Sequence, residues 1–525
     1  MKQHEGWFSE KAFLIIILQI ALIVRVFLLD NTPFASDEAI YTYTSYLISR
    51  SVTPYTQMFV AHPPLNFYII AFLLRVFEPI YPSVRLLNVC IYLVSIVFTF
   101  FLSKVTLANL NGKYSLLATA LYAFYPSWFT LNSIASSLEN LLTLFALLTV
   151  FFYMLYHRRK RNRYMLISGF FGACALLTTV RAIFFLASLG TFHLIYAVYA
   201  RKMNNFVRSG AAFTLGFAVP TTFTLALLAI SNALPNFFLN VFTYQYSLFR
   251  MSMNDRMWYM WQYLASQWPL LLLSGSSIPL AVRAIKENKD VIMVVPGFLF
   301  FYSFFFFSLF GFLMHYLQFL SPFLAILSAL GIVEVRKRIK RRNRTKAIVL
   351  AVLVVLGFFG YVGATSFYSV YFNVQKNPYD KVTYYIGKRI ANMTNPNDYI
   401  WSGDASIGFF SKRIIVAPSS DFRFVGCSDS VIGFDFGRDR GAEMTAYKDG
   451  FVTVEDFVQS WESNKVKVLV FIMKKGWIPY VDPFLWNGYR EHIGARDYVI
   501  SKYELKEVVV GEDVPYIYYI WVRRG

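Results

Sequence analysis

Apolar runs of about 18–20 residues recur from Phe13 to Gly360, and each is long enough to cross roughly 30 Å of hydrocarbon. No other feature of the chain limits its fold so strongly. A water-soluble protein of 525 residues rarely keeps its charged residues down to 15% while 57% of the chain is hydrophobic. The mean hydropathy of +0.46 agrees with a membrane protein. The first run, Phe13–Leu29, lacks a following small-residue cleavage site, so it is expected to be retained as a helix rather than removed as a signal peptide.

The formal net charge of +20 could suggest a nucleic-acid partner, but the basic residues cluster in short loops between apolar runs. Arg158-Arg159-Lys160-Arg161, Arg201-Lys202 and Arg336 to Lys346 have the pattern of cytoplasmic loops under the positive-inside rule. Nucleic-acid binding is therefore not expected. Cys90, Cys174 and Cys427 are too few and too scattered for a disulfide framework or a zinc site.

Placing those basic loops inside fixes the expected topology. Spans at Phe13–Leu29, Leu86–Leu102, Leu116–Leu131, Asn140–Tyr156, Tyr164–Val180, Ala182–Tyr199, Phe206–Ile230, Gln262–Val282, Val291–Phe310, Tyr316–Val333 and Ala347–Ala364 give eleven. The N-terminus is then cytoplasmic and the C-terminus outside. The apolar segment Leu65–Phe77 would reach only about 20 Å as a helix, so it is expected to lie in the outer interface, with the loop 30–83 outside. From about Ser366 the charge rises and the apolar runs shorten. Ile414–Ala417, Val466–Ile472 and Tyr516–Val522 read as strands; Lys381–Asn392 and a segment starting at Thr453 read as helices. The expected fold is a polytopic α-helical membrane domain, 1–365, followed by an extracytoplasmic α/β domain, 366–525. In a prokaryote it would sit in the plasma membrane.

Asp37-Glu38 lies just beyond the first span, followed by Pro54-Tyr55 and His62-Pro63-Pro64. Two adjacent carboxylates at a membrane face can act as a general base or hold a metal ion, or they can simply open a helix after Ser36. Glu139 begins a span and is open to the same two readings. Arg25, Arg85, Arg181 and Arg250 map to the outer ends of spans or to the outer loops. Arginine there can hold a phosphate bidentately or snorkel to the headgroups. His193 lies in mid-span and reads as a hydrogen-bonded structural residue.

These residues, in this order, resemble the GT-C membrane glycosyltransferases, in particular the branch holding the dolichyl-phosphate-mannose protein mannosyltransferases and the lipid A aminoarabinose transferase. In that branch an arginine late in the first span is matched by Arg25. The acid opening the first outer loop is matched by Asp37 and Glu38. A basic residue before prolines is matched by His62, where relatives often carry lysine, and an arginine opening the second full span is matched by Arg85. Glu139 matches a second outer-face acid, Arg181 a basic re-entry residue, and Arg250 the large-loop arginine that contacts the donor phosphate. His315-Tyr316 resembles the motif entering a late span and would position acceptor or donor.

The resemblance implies an inverting, GT-C-like transferase. It would move a sugar from a polyprenyl-phosphate donor of the dolichyl-phosphate type to a hydroxyl on a lipid, glycan or protein acceptor. Asp37, Glu38 and Glu139 would be catalytic, and Arg250, Arg181, His62, Arg85 and Arg25 would bind the donor phosphate. It leaves a divalent cation open, with Asp37 and Glu139 as its ligands. A secondary transporter or lipid flippase is the alternative; against it, the candidate charges gather at one face and no second half mirrors the first. A receptor built on a decayed transferase is a third reading, which the intact Asp37-Glu38 opposes.

Overall fold

A computed structural model describes residues 2–29, 36–77, 81–108, 112–124, 138–244, 253–286, 294–310, 314–340, 379–402, 404–416, 424–427, 454–474, 493–510 and 516–525. In chain order the elements begin with α1 (Lys2–Leu28), α2 (Ser36–Ser49), β1 (Met58–Val60), α3 (Leu65–Val76), α4 (Tyr81–Thr106) and α5 (Lys113–Ala123). Then come α6 (Leu138–Arg159), α7 (Arg163–Thr178), α8 (Ala182–Tyr199), α9 (Met203–Ile230), α10 (Leu234–Phe238), α11 (Met253–Gly275), α12 (Ile278–Lys286), α13 (Val295–Phe310) and α14 (Ser321–Lys340). The chain closes with α15 (Tyr379–Met393), β2 (Tyr399–Ser402), α16 (Ala405–Ser411), β3 (Ile414–Ile415), β4 (Phe424–Cys427), α17 (Val454–Ser463), β5 (Val468–Lys474), α18 (Ile493–Lys502), β6 (Tyr503–Val510) and β7 (Tyr516–Arg523).

Two compact units emerge, and their limits differ from a division at residue 366. The first comprises Met1–Leu29, Arg85–Ala226 and Gln245–Val370; the second comprises Asp30–Val84, Leu227–Tyr244 and Tyr371–Gly525. The loop that follows α1 thus folds together with C-terminal residues. The physical reason lies in α2, whose Tyr43, Thr44, Tyr46 and Leu47 are buried and need partners that a short loop cannot supply alone.

The first unit is a helical bundle. Among the described residues, five helices are long and apolar enough to cross a membrane: Ser83–Thr106, Leu138–Arg159, Ala182–Tyr199, Met203–Ile230 and Tyr316–Arg336. Helices Arg163–Thr178 and Val295–Ser308 are apolar but shorter. Of the eleven expected spans, Ala347–Ala364 lies outside the described residues, and Leu116–Leu131 is described only to Phe124. The expected span Gln262–Val282 is broken: α11 ends at Gly275 and α12 starts at Ile278. There the hydroxyl and the amide of Ser277 both bond the Ser274 carbonyl, turning the chain where apolar content alone implies continuity.

Close helix contact is written into glycines. A Cβ on Gly169 of α7 would stand 2.0 Å from the Phe213 carbonyl oxygen, and one on Gly216 of α9 would stand 1.8 Å from that of Leu166. Small residues let the two backbones touch, which is how helices gain packing energy where lipid gives no hydrophobic drive. α9 also leaves Leu215, Val219 and Phe223 exposed at i, i+4 and i+8, a stripe suited to lipid. His193 is hydrogen-bonded to Tyr153 Oη at 3.2 Å and Ser209 Oγ at 2.8 Å, a structural link between α6, α8 and α9.

The second unit contains a five-stranded sheet of order β3-β2-β5-β7-β6. β3, β2 and β5 run parallel, while β7 is antiparallel to both β5 and β6. Trp401, Trp461, Leu469, Phe471, Val499, Tyr503 and Tyr519 form its core. β1, from the first loop, pairs in parallel with β4, Met58 opposite Phe424 and Val60 opposite Cys427. α3 is 12 residues long. It buries Phe67, Ile70, Ala71 and Leu74 and exposes Tyr68, Phe72 and Val76. At about 18 Å it is too short to span, and its exposed face is apolar enough to lie along an interface.

Candidate functional site

In the second unit, α2 carries both candidate carboxylates in its first turn. Glu38 is buried and Asp37 partly exposed. Tyr41, one helical turn after Asp37, brings its hydroxyl within 3.4 Å of His62 Nε2, with the rings edge to face at 5.6 Å. Sequence reading had singled out His62 but not Tyr41. A tyrosine at i+4 from the acid was the available signal, because that spacing places both on one helix face.

The turn that delivers His62 is held firmly. Tyr55 is fully buried in the left-handed region at φ 65°, a conformation that a bulky residue adopts only when its surroundings enforce it. Its hydroxyl donates to the His62 carbonyl at 2.7 Å, and its own carbonyl accepts from Asn236 Nδ2 at 2.8 Å. Its ring stands edge-on to Phe237 at 5.3 Å. The Pro235-Asn236-Phe237 segment therefore fixes the shape of the first loop.

In the first unit, Glu139 opens α6 and Arg181 immediately precedes α8. The two form an ion pair of 2.8 Å with side chains only 3% and 5% exposed. Arg181 Nε also donates to Thr179 Oγ1 at 3.1 Å, and the guanidinium lies over the Tyr316 ring, 3.6 Å from its centre. Next to Glu139, Asn140 Oδ1 accepts from the buried Gln318 at 2.8 Å. Three residues singled out separately in the sequence, Glu139, Arg181 and Tyr316, are thus one cluster, and Gln318 and Asn140 join it.

Arg25 and Arg85 are also deeply buried in the first unit. Arg25 donates to the carbonyls of Ala21 and Ala123 and sits 3.9 Å from the centre of the Tyr92 ring. Arg85 donates to the Leu29 carbonyl. Both guanidinium groups thus serve packing within the first unit. Arg250 and the His315 side chain lie outside the described residues. No group of three His, Cys, Asp or Glu converges among the described residues, and the Glu139 carboxylate is already committed to Arg181.

The fold is similar to that of solved GT-C membrane glycosyltransferases. ArnT from Cupriavidus metallidurans, solved bound to undecaprenyl phosphate, superposes with a TM-score of 0.63 at 14% identity, covering 97% of this chain and 98% of that one. Its apo form gives the same TM-score at 15% identity and 98% coverage of both chains. The Archaeoglobus fulgidus oligosaccharyltransferase, tethered to an acceptor peptide, matches with a TM-score of 0.52 at 11% identity, covering 88% of this chain and 69% of that one. Residues 61–224 match the model of the dolichyl-phosphate-mannose-protein mannosyltransferase family. No curated protein matches the chain by sequence.

Proposed function

We propose that the protein transfers a sugar from a polyprenyl-phosphate donor to an acceptor hydroxyl at the outer membrane face, with inversion at the anomeric carbon. The observation that carries this reading is the first turn of α2, where Asp37 and Glu38 stand one turn from a Tyr41–His62 pair, inside a GT-C fold. ArnT's complex with undecaprenyl phosphate supports a lipid-phosphate donor.

In the proposed step the acceptor oxygen attacks the anomeric carbon as the bond to the phosphate oxygen breaks. Asp37 takes the hydroxyl proton, and polyprenyl phosphate departs with one more negative charge than it carried in the donor. That charge grows in the transition state, so a cation beside it stabilises the transition state more than the bound donor. Arg250 is the first candidate for that contact. Arg181 could contribute only by sharing its guanidinium with Glu139. Glu38, being buried, would orient the loop or the acceptor. No step is routed through a metal ion.

The test is radiolabelled transfer from a polyprenyl-phosphate sugar with release of polyprenyl phosphate. A positioned base contributes about 10²–10⁴-fold, so Asp37→Asn should lower turnover by that factor while donor binding persists. Unchanged turnover in Asp37→Asn would remove it as base and leave it a helix-opening residue. Donor movement across the membrane without cleavage would instead identify a transporter.

A further inference from the structure

Helix α2 has two differently occupied faces. Asp37 and Tyr41 lie about 40° apart around its axis, and Tyr41 meets His62. Tyr43 lies about 140° around from Glu38, and it is fully buried against α16 and β3 in the C-terminal part of the chain. Its phenol accepts from the Ile415 amide at 2.6 Å and donates to the Arg413 carbonyl at 3.2 Å, so both hydrogen-bonding capacities of the hydroxyl are spent on one backbone corner. One turn on, the Tyr46 hydroxyl donates to the Lys412 carbonyl at 3.3 Å, and its ring meets Phe409 edge to face.

That corner is itself rigid. Lys412 caps α16 in the left-handed region at φ 56°, with the Arg413 amide returning to the Gly408 carbonyl. The buried Arg413 guanidinium donates to the carbonyls of Ala391, Thr394 and Ser411 and to Thr394 Oγ1, fastening the corner to the end of α15. Gly408 is required: a Cβ there would lie 2.8 Å from Tyr43 Cε2 and 2.7 Å from Ile415 Cδ1. Burial raises the Tyr43 pKa, so the phenol stays protonated and able to donate across the working pH range.

We propose that the α16–β3 corner sets the orientation of the carboxylate-bearing helix α2 for transfer, with Tyr43 as the positioning residue that joins them. This assignment rests on the transferase reading above. The C-terminal part of the chain is then an aligning element of the reaction rather than a separate binding module.

The experiment has two arms on the full-length protein in detergent or liposomes. Hydrogen exchange is read at the α2 amides from Tyr41 to Tyr46, and donor KM and kcat are measured on the same samples. Tyr43→Phe keeps the ring and removes both hydrogen bonds. Misplacing a reacting group by about 1 Å costs on the order of a hundredfold, so kcat should fall by roughly ten- to a hundredfold with donor KM unchanged. Exchange at α2 should rise while exchange at α15 stays as in the wild type. Gly408→Ala, whose Cβ would press on the same ring, should give the same split.

In an Asp37→Asn background, Tyr43→Phe should add little further loss, because it acts through that carboxylate. Wild-type kcat in both single variants, or fully multiplicative losses with Asp37→Asn, would overturn the proposal and leave Tyr43 a core residue. Faster exchange across the whole second unit, with activity falling in step with folded protein, would overturn it too. A wild type that releases no polyprenyl phosphate refutes the transferase reading; the exchange arm then reports whether the tether exists without it.

Discussion

The buried Glu139–Arg181 pair allows a sharp test of what its two members do. Both side chains are at most 5% exposed, the ion pair is 2.8 Å long and the guanidinium stacks on Tyr316. Removing one member of such a pair leaves the other charge buried without its counter-ion, which typically costs about 3–5 kcal/mol. Replacing both by neutral groups of similar volume is often close to neutral. Glu139→Gln and Arg181→Met should therefore each lower the melting temperature markedly. The double variant should be much more stable than the sum of the single losses, with a coupling energy of about 3 kcal/mol or more. The assay is thermal unfolding of purified protein in one detergent at fixed pH, with donor binding measured on each variant below its transition. A coupling under about 1 kcal/mol would refute the claim that the two charges hold each other. If Glu139→Gln instead keeps the wild-type melting temperature but loses turnover, the acid serves the reaction directly and the pair is incidental.

Two further outcomes are expected. Arg250→Lys should retain part of the transfer activity and Arg250→Ala very little, since lysine keeps the charge but loses the two-pronged contact; a charge-assisted bond is worth about 1.5–3 kcal/mol. Equal turnover in wild type, Arg250→Lys and Arg250→Ala would move the phosphate contact elsewhere. Burial pushes the Tyr503 phenol up to about 12. Its folded-state value therefore exceeds the unfolded one of about 10, so its contribution to stability is complete below pH 10 and lost as pH rises toward 12. Amide protection of β6 and β7 should fall over that window and should hold to higher pH in Tyr503→Phe; a fall at the same pH in that variant would exclude the phenol as its cause.

Much of the bundle was legible because hydrocarbon thickness writes itself into run length. The runs Asn140–Tyr156, Tyr164–Val180 and Ala182–Tyr199 became Leu138–Arg159, Arg163–Thr178 and Ala182–Tyr199. The turn at Ser277 was not legible, because hydropathy averages over a serine pair whose hydroxyls can cap a helix end inside an apolar stretch. In the second unit, β5 and β7 fall within two residues of the runs Val466–Ile472 and Tyr516–Val522, whereas β1, β2, β4 and β6 were missed. β6 lies at an edge of the sheet and is mostly exposed beyond the buried Tyr503, and its first half, Tyr503–Glu507, is largely charged.

The candidate site shows a different limit. Arg25, Arg85 and Arg181 look alike in sequence, each a cation near the end of an apolar run. The structure gives them different occupations: backbone carbonyls and the Tyr92 ring for Arg25, the Leu29 carbonyl for Arg85, and a carboxylate with the Tyr316 ring for Arg181. Sequence position fixes the depth of such a residue but not what its donors meet, because those partners come from residues as distant as Ala123 and Tyr316. The same holds for α2. Its acids were conspicuous, yet nothing local to Asp37 announces that the reverse face of its helix is bonded through Tyr43 to residues 413 and 415. A carboxylate pair becomes a reaction centre only when something fixes its direction. In the proposed arrangement the fixing group is Tyr43, since a phenol can be buried by its ring and still bind a backbone corner through its hydroxyl.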